Sequence, residues 1–205
     1  VGCRAEIAAI TEAAMRGEIA DYKESLRRRL ALLAGVPESA LHEVYAQRLR
    51  LNPGADKLLA TMKAAGLKTL LVSGGFTFFT DRVRDTLGFD YTRSNVLEIE
   101  NGRLTGRMVD QPWGDICDGA EKLRMLLETC AALGIEPAQA IAIGDGANDL
   151  PMLTAAGLSV AYHAKPAVRE EAMVDIDSGG LDRLLELFDG RATKATAVYG
   201  SLRVR

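Results

Sequence analysis

Few residues of this chain can form a cross-link. There are three cysteines, Cys3, Cys117 and Cys130, and two histidines, His42 and His163. The cysteines are widely spaced and no pair has Cys-x-x-Cys separation, so neither a disulfide framework nor a zinc site is suggested. Reduced thiols in a cytoplasmic protein are the expectation. Neither histidine has a partner at ligand or triad spacing, so structural roles are expected for both. No apolar run approaches the roughly 20 residues of a membrane-spanning helix. Excess basic charge is also lacking: 25 Lys and Arg stand against 28 Asp and Glu, for a net charge of −3. That balance gives no electrostatic case for nucleic acid or an anionic membrane as partner. The longest basic run, Arg27-Arg28-Arg29, lies within a helical pattern. An initiator Met is missing too, since the chain opens on Val1-Gly2-Cys3. Residues upstream are therefore expected, and no basic-then-apolar signal pattern follows Val1.

What is present is core-forming. Hydrophobic residues make up 48% of the 205, enough for one α/β domain and a small accessory domain. From Arg4 to Leu49 the apolar residues recur at helical spacing, as in Leu26, Leu30 and Leu33 and again in Leu41, Val44 and Tyr45. No strand is expected there. Asn52-Pro53-Gly54 breaks the pattern. Beyond it, short apolar strands alternate with helices. Strands are expected at Lys68–Val72, Ala140–Ile143 and Leu158–Tyr162 and near Val174, with helices over 55–65, 119–133 and 181–188. A hairpin over 96–109 is expected to turn at Asn101-Gly102, the strongest short hairpin signal. Alternation of this kind implies an α/β doubly wound parallel sheet, helices on both faces, with a small helical cap. The expected division is a cap over 1–50, an α/β core over 51–190 and a weakly patterned basic tail over 191–205.

Three features stand where α/β folds place ligands, at the carboxyl ends of parallel strands. Ser73-Gly74-Gly75 follows an apolar strand. A hydroxyl and two glycines let backbone N–H groups approach an anion, although a plain strand-to-helix turn has the same composition. Gly144-Asp145-Gly146-Ala147-Asn148-Asp149 puts two carboxylates and an amide at a second strand end. Hard oxygen ligands there suit Mg²⁺; an ordinary helix cap is the alternative. Lys122, early in a helix, can act as a point charge on phosphate, though a helical lysine is usually solvated. Asp175-Ile176-Asp177 has the form of a paired-carboxylate motif but lies after the metal motif, away from the switch point, and is not expected to be catalytic.

Taken together these segments resemble the bacterial phosphoserine phosphatases of the haloacid dehalogenase superfamily, over about Ala8 to Leu185. The specific pieces are Leu71 to Phe79, Gly144 to Asp149 with Leu150 and Met152, His163-Ala164-Lys165-Pro166, the cap segments Ala14 to Gly17 and Ser25 to Arg29, and the link Leu51 to Ala55. The resemblance implies hydrolysis of O-phospho-L-serine to serine and phosphate, the last step of serine biosynthesis, through an aspartyl-phosphate. It implies Mg²⁺ at Asp145, with Asp149 orienting the site or ligating directly. Ser73 and Gly74 would hold the phosphate, Lys122 would neutralise it, and Asn148 would contact it or a bound water. In the cap, Arg29 would bind the serine carboxylate through its planar fork, and Met15 and Tyr22 would wall the pocket. Read without the resemblance, Arg29 is a surface arginine. A homodimer is left open.

The same resemblance implies a leading strand ending in Asp-x-Asp-x-Thr, whose first aspartate is the nucleophile and whose second is the general acid and base. A glutamate that reads the substrate amine should follow shortly after. Nothing before Arg4 corresponds to that strand. It would lie mid-sheet, between the strands ending at Val72 and Ile143. The chain as given is therefore expected to be a truncated or incompletely observed one, poorly folded alone and inert as a phosphatase. Two further readings stay open: a related phosphatase or phosphotransferase acting on another small phospho-metabolite, and a catalytically dead remnant that binds an anion or a partner.

Overall fold

The computed structural model describes residues 4–15, 21–188 and 202–204. Two compact units are present. The first comprises Val1–Leu49, Ser73–Val83 and Arg93–Asp118; the second comprises Arg50–Val72, Arg84–Thr92 and Gly119–Arg205. The leading helices thus share a unit with two later segments rather than standing alone.

The second unit is the layered one. Strands β5 (Ile141–Gly144), β6 (Leu158–Tyr162) and β7 (Val174–Ile176) run parallel, with Ile143 opposite Val160 and Val160 opposite Val174. Strand β8 (Leu202–Val204) closes the order β5-β6-β7-β8 antiparallel to β7, inside the stretch the pattern leaves as a tail. Successive side chains of a strand point to opposite faces, and each face has its own core. One face packs Ala142 and Ala161 against Leu126 and Cys130 of α6 (Gly119–Leu133), Met152 and Leu153 of α7 (Leu150–Ala155) and Val168 of α8 (Pro166–Glu171). The other packs Val160, Tyr162, Val174 and Ile176 against Leu58 of α4 (Ala55–Ala64) and Leu184. Each Leu, Ile, Val or Met side chain buried here contributes about 1.5–3 kcal/mol. The segment Leu181–Leu187 is a 3-10 helix and not the expected α-helix. It is tied down locally, since the Leu181 N–H donates to the Pro53 carbonyl at 2.7 Å and Asp182 pairs with Lys57.

Strand β1 (Leu70–Phe76) runs through Ser73-Gly74-Gly75, where the sequence reads a turn, and α5 (Thr77–Leu87) starts on the next residue. It pairs with β2 (Tyr91–Asn95), a strand the apolar pattern does not reveal because Tyr91-Thr92-Arg93-Ser94-Asn95 is mostly polar. Among the described residues, the β1-β2 sheet and the β5-β8 sheet are separate.

The first unit holds α1 (Arg4–Met15), α2 (Tyr22–Ala31), α3 (Ser39–Gln47) and the hairpin β3 (Leu97–Glu100) and β4 (Arg103–Met108). The hairpin turns where expected: Asn101 and Gly102 have φ of 50° and 69°, the positive pair that a tight hairpin turn requires. Helix α2 is started by Asp21, whose carboxylate accepts the Lys23 N–H at 2.9 Å, and Arg28 and Arg29 lie at its negative end. Leu30, Leu41, Leu97 and Leu104 form this unit's core, flanked by Phe76, Phe78 and Phe79. His42 stacks edge-on against Phe78 at 4.9 Å, a structural role. Among the described residues no helix is long and apolar enough to cross a membrane.

Candidate functional site

In the second unit, the site is built on a buried ion pair. Helix α6 buries Glu121, Lys122, Met125, Leu126 and Cys130, so Lys122 shares the inward stripe of its helix. Its Nζ donates to Asp149 Oδ1 at 2.6 Å, with the two residues only 7% and 4% exposed. The second oxygen of Asp149 accepts the backbone N–H groups of Asp145 and Gly146, each at 3.0 Å. One carboxylate therefore pairs with the lysine and clamps the turn that follows β5. Gly144 is required beside it: a Cβ there would come within 2.5 Å of the Asp149 side chain. The Asp145 carbonyl accepts the Lys165 N–H at 3.1 Å, which fixes the turn from its other side.

The consequence is a carboxylate aimed by its backbone. Asp145 is exposed, and its side chain has no hydrogen-bond partner or ion pair among the described residues. The Asn148 side-chain amide likewise has no partner among them. No group of three or more His, Cys, Asp or Glu side chains converges among the described residues. A single hard carboxylate beside an amide fits a divalent cation that keeps several waters and takes one or two protein oxygens. It does not fit a soft ion or one ligated by protein alone. Asp149, both of whose oxygens are engaged by protein, sits behind Asp145 as its support.

The first unit holds the other predicted residues. The Ser73 Oγ accepts the Gly75 N–H at 3.0 Å, and among the described residues nothing accepts its own O–H. Gly74 lies under the hydroxyl of Tyr22: a Cβ at Gly74 would collide with that oxygen and stand 3.4 Å from the Cys117 carbonyl. Gly74 is thus needed for this close approach. Tyr22 is 36% exposed. Met15 ends α1, and its side chain lies outside the described residues.

The arginine triplet separates by partner. Arg27 pairs with Asp115 at 2.5 Å and Arg28 with Glu24 at 2.7 Å. Arg29 is half-buried and donates only its Nε, to the Ser25 carbonyl at 3.2 Å. It has no acidic partner among the described residues, so the outer edge of its guanidinium is available to a planar acceptor. Lys23 reaches Asp118 at 3.4 Å from the same helix.

Asp175 and Asp177 are both bound by Arg169, at 2.8 and 3.1 Å, and belong to a structural ion-pair group at the end of β7. His163 adopts φ of 46° with its Nε2 3.0 Å from the Gly179 carbonyl, also a structural setting. Cys117 and Cys130 are free and buried, and burial raises the Cys130 thiol above its ordinary value. Sequence reasoning missed Asn95, a fully enclosed amide at the end of β2 hydrogen-bonded to Gly74 and Cys117. Its only sequence signal was a polar residue directly before an apolar hairpin.

The family model for haloacid dehalogenase-like hydrolases matches residues 3–154. A phosphoserine phosphatase of Polaromonas sp. is 75% identical over 186 residues, covering 91% of this chain and 79% of that protein. Among solved structures, a probable phosphoserine phosphatase from Vibrio cholerae in unliganded form has a TM-score of 0.81 at 41% identity, over 90% of this chain and 55% of that one. A substrate-bound phosphoserine phosphatase complex has a TM-score of 0.80 at 32% identity, over 89% of this chain and 84% of the other. The chain therefore spans about half the length of the Vibrio cholerae protein and most of the other two.

Proposed function

Because the chain belongs to the haloacid dehalogenase-like hydrolases and, among them, to the phosphoserine phosphatases, we propose that it forms the phosphate- and metal-binding body of an enzyme that hydrolyses O-phospho-L-serine to L-serine and phosphate. The observation that carries this reading is the buried Lys122–Asp149 pair clamping the turn of Asp145, whose own carboxylate has no partner among the described residues. Forming that pair costs both charges their hydration.

The residues take these roles. Asp145 holds Mg²⁺, with Asp149 behind it and Asn148 directed to the phosphate or a bound water. Bound Mg²⁺ supplies charge that offsets the phosphoryl oxygens. The Ser73 hydroxyl and the Gly74 peptide hold those oxygens, and Lys122 contributes a second positive charge. Attack on phosphorus is assigned to the aspartate of the Asp-x-Asp-x-Thr strand that the resemblance implies, giving an aspartyl-phosphate that water opens. Arg29 takes the substrate carboxylate, and Tyr22 walls the substrate. The reduced thiols Cys117 and Cys130 support a cytoplasmic setting, and the product a place at the end of serine biosynthesis.

The test is phosphate release from phosphoserine by the natural full-length protein with added Mg²⁺, beside a panel of other small phosphomonoesters. Phosphoserine should be the preferred substrate, chelation should stop turnover, and Asp145→Asn should reduce it to background. Full activity of Asp145→Asn at ordinary Mg²⁺ would overturn the metal assignment, and a preference for another phosphomonoester would overturn the substrate.

A further inference from the structure

Strand β2 ends on an amide whose two ends are both in use. Asn95 is 0% exposed. Its Nδ2 donates to the Gly74 carbonyl at 2.8 Å, and its Oδ1 accepts the Cys117 backbone N–H at 2.6 Å. The first partner lies 21 residues before it in the chain and the second 22 after. An amide suits this position because it carries a donor and an acceptor on one planar group. Aspartate could keep the bond from Cys117 but could not donate to a carbonyl. Leucine could do neither.

The two groups joined in this way are neighbours. The Cys117 carbonyl stands 3.4 Å from where a Cβ of Gly74 would be, and the Tyr22 hydroxyl covers the same point. Gly74 is therefore located by three things: the Asn95 amide on its carbonyl, Cys117 on one side and Tyr22 over it. Ser73 precedes it directly, and the Ser73 Oγ is already turned by the Gly75 N–H. A shift of Gly74 would carry the Ser73 hydroxyl with it.

We propose that Asn95 is a positioning residue for phosphate recognition, holding the Gly74 peptide so that the Ser73 hydroxyl is aimed at a phosphoryl oxygen. This inference rests on the phosphatase reading for its ligand, and on unit-internal geometry for everything else. Asn95 touches no reacting atom; it acts through Gly74. The adjacent Ser94 provides a matched contrast. Its hydroxyl bonds the Thr80 hydroxyl at 2.6 Å, equally buried, and that pair involves neither Gly74 nor Cys117.

The experiment uses the natural full-length protein and two readouts, binding of inorganic phosphate by calorimetry and steady-state hydrolysis of phosphoserine. Wild type is compared with Asn95→Asp, Asn95→Ser and Ser94→Ala. The two Asn95 variants should weaken phosphate binding and lower kcat/KM by about tenfold or more, the scale expected when a binding group is displaced by a fraction of an ångström. Ser94→Ala should lower the unfolding midpoint while leaving both readouts at wild-type values. Asn95→Ser, the smaller and neutral change, carries the test if Asn95→Asp does not fold. Undiminished phosphate binding in a folded Asn95 variant, or equal losses in Ser94→Ala, would overturn the inference. Wild-type protein that binds phosphate without hydrolysing phosphoserine would instead count against the substrate, and the phosphate-binding comparison would still decide the role of Asn95.

Discussion

The ion pair of Lys122 in the second unit and those of α2 in the first handle charge in opposite ways. In the second, Lys122 and Asp149 meet at 2.6 Å with side chains 9% and 6% exposed. In the first, Arg27 meets Asp115 at 2.5 Å with side chains 48% and 25% exposed, and Lys23 meets Asp118 at 38% and 22%. Similar lengths hide different energetics. An exposed pair is screened by water and salt and is worth little. A buried pair has given up hydration on both ions and tolerates the loss of neither partner. The second unit thus holds a buried, charge-dependent pair, while the two ion pairs of α2 in the first are exposed and adjustable.

The largest effect expected from this contrast is at Lys122. Lys122→Met should leave the Asp149 carboxylate buried and unpaired, costing about 3–5 kcal/mol and removing turnover, with urea denaturation and phosphate release as the two measurements. A loss confined to activity would mean that Asp149 is adequately held by the Asp145 and Gly146 N–H groups alone. Next comes Arg29, the member of the triplet with no acidic partner among the described residues. Arg29→Ala should raise KM for phosphoserine by roughly tenfold or more, the scale of a lost charged hydrogen bond. Turnover of a phosphoester without a carboxylate should change little. Equal losses on both substrates would make Arg29 structural.

Smaller still is the change expected at the surface of the first unit. Arg27→Ala should cost less than about 1 kcal/mol, and that difference should shrink as salt is raised. A salt-independent loss would show that the Arg27–Asp115 pair is shielded and the contrast between units overstated.

The smallest effect tests an exposed pair inside the second unit. Asp90 accepts from Lys68 and from the backbone and side chain of Thr69, which together hold its carboxyl down at about 2, below its ordinary 3.8. A depressed native value means that the unfolded chain takes up the proton first. The contribution of Asp90 is therefore complete above about pH 4 and lost as the pH falls towards 2. Asp90→Asn should lower stability by a constant amount above about pH 4, and the difference from wild type should vanish as the pH falls towards 2. An unchanged acid limb would place the acid sensitivity elsewhere.

Much of the fold was legible in the chain. Helix α6, strand β6 and the Asn101-Gly102 turn fall where periodicity and turn chemistry put them, because each is specified by its own residues. Strand β2 was not legible, since its polar residues carry no period-2 apolar signal, nor was the continuation of β1 through Ser73-Gly74-Gly75. For those residues the backbone pairing and the bond from Asn95 outweigh the local preference of Ser and Gly for a turn.

By itself the sequence determined the kinds of residue at the strand ends: a hydroxyl with two glycines after one strand, and two acids with an amide after another. It also placed Lys122 early in a helix. Only the tertiary structure decided how these divide the work. Asp149 faces inward to Lys122 and supports the turn, while the carboxylate of Asp145, four residues earlier, has no partner among the described residues. Of three consecutive arginines, it is Arg29 whose guanidinium edge no described acid takes up. And Asn95, unremarkable in the sequence, becomes the link between Gly74 and Cys117. The physical reason is common to all three. A side chain's chemistry is local, but its burial and its partners come from segments distant in the chain, and those set whether a charge or an amide is spent on the fold or kept for a substrate.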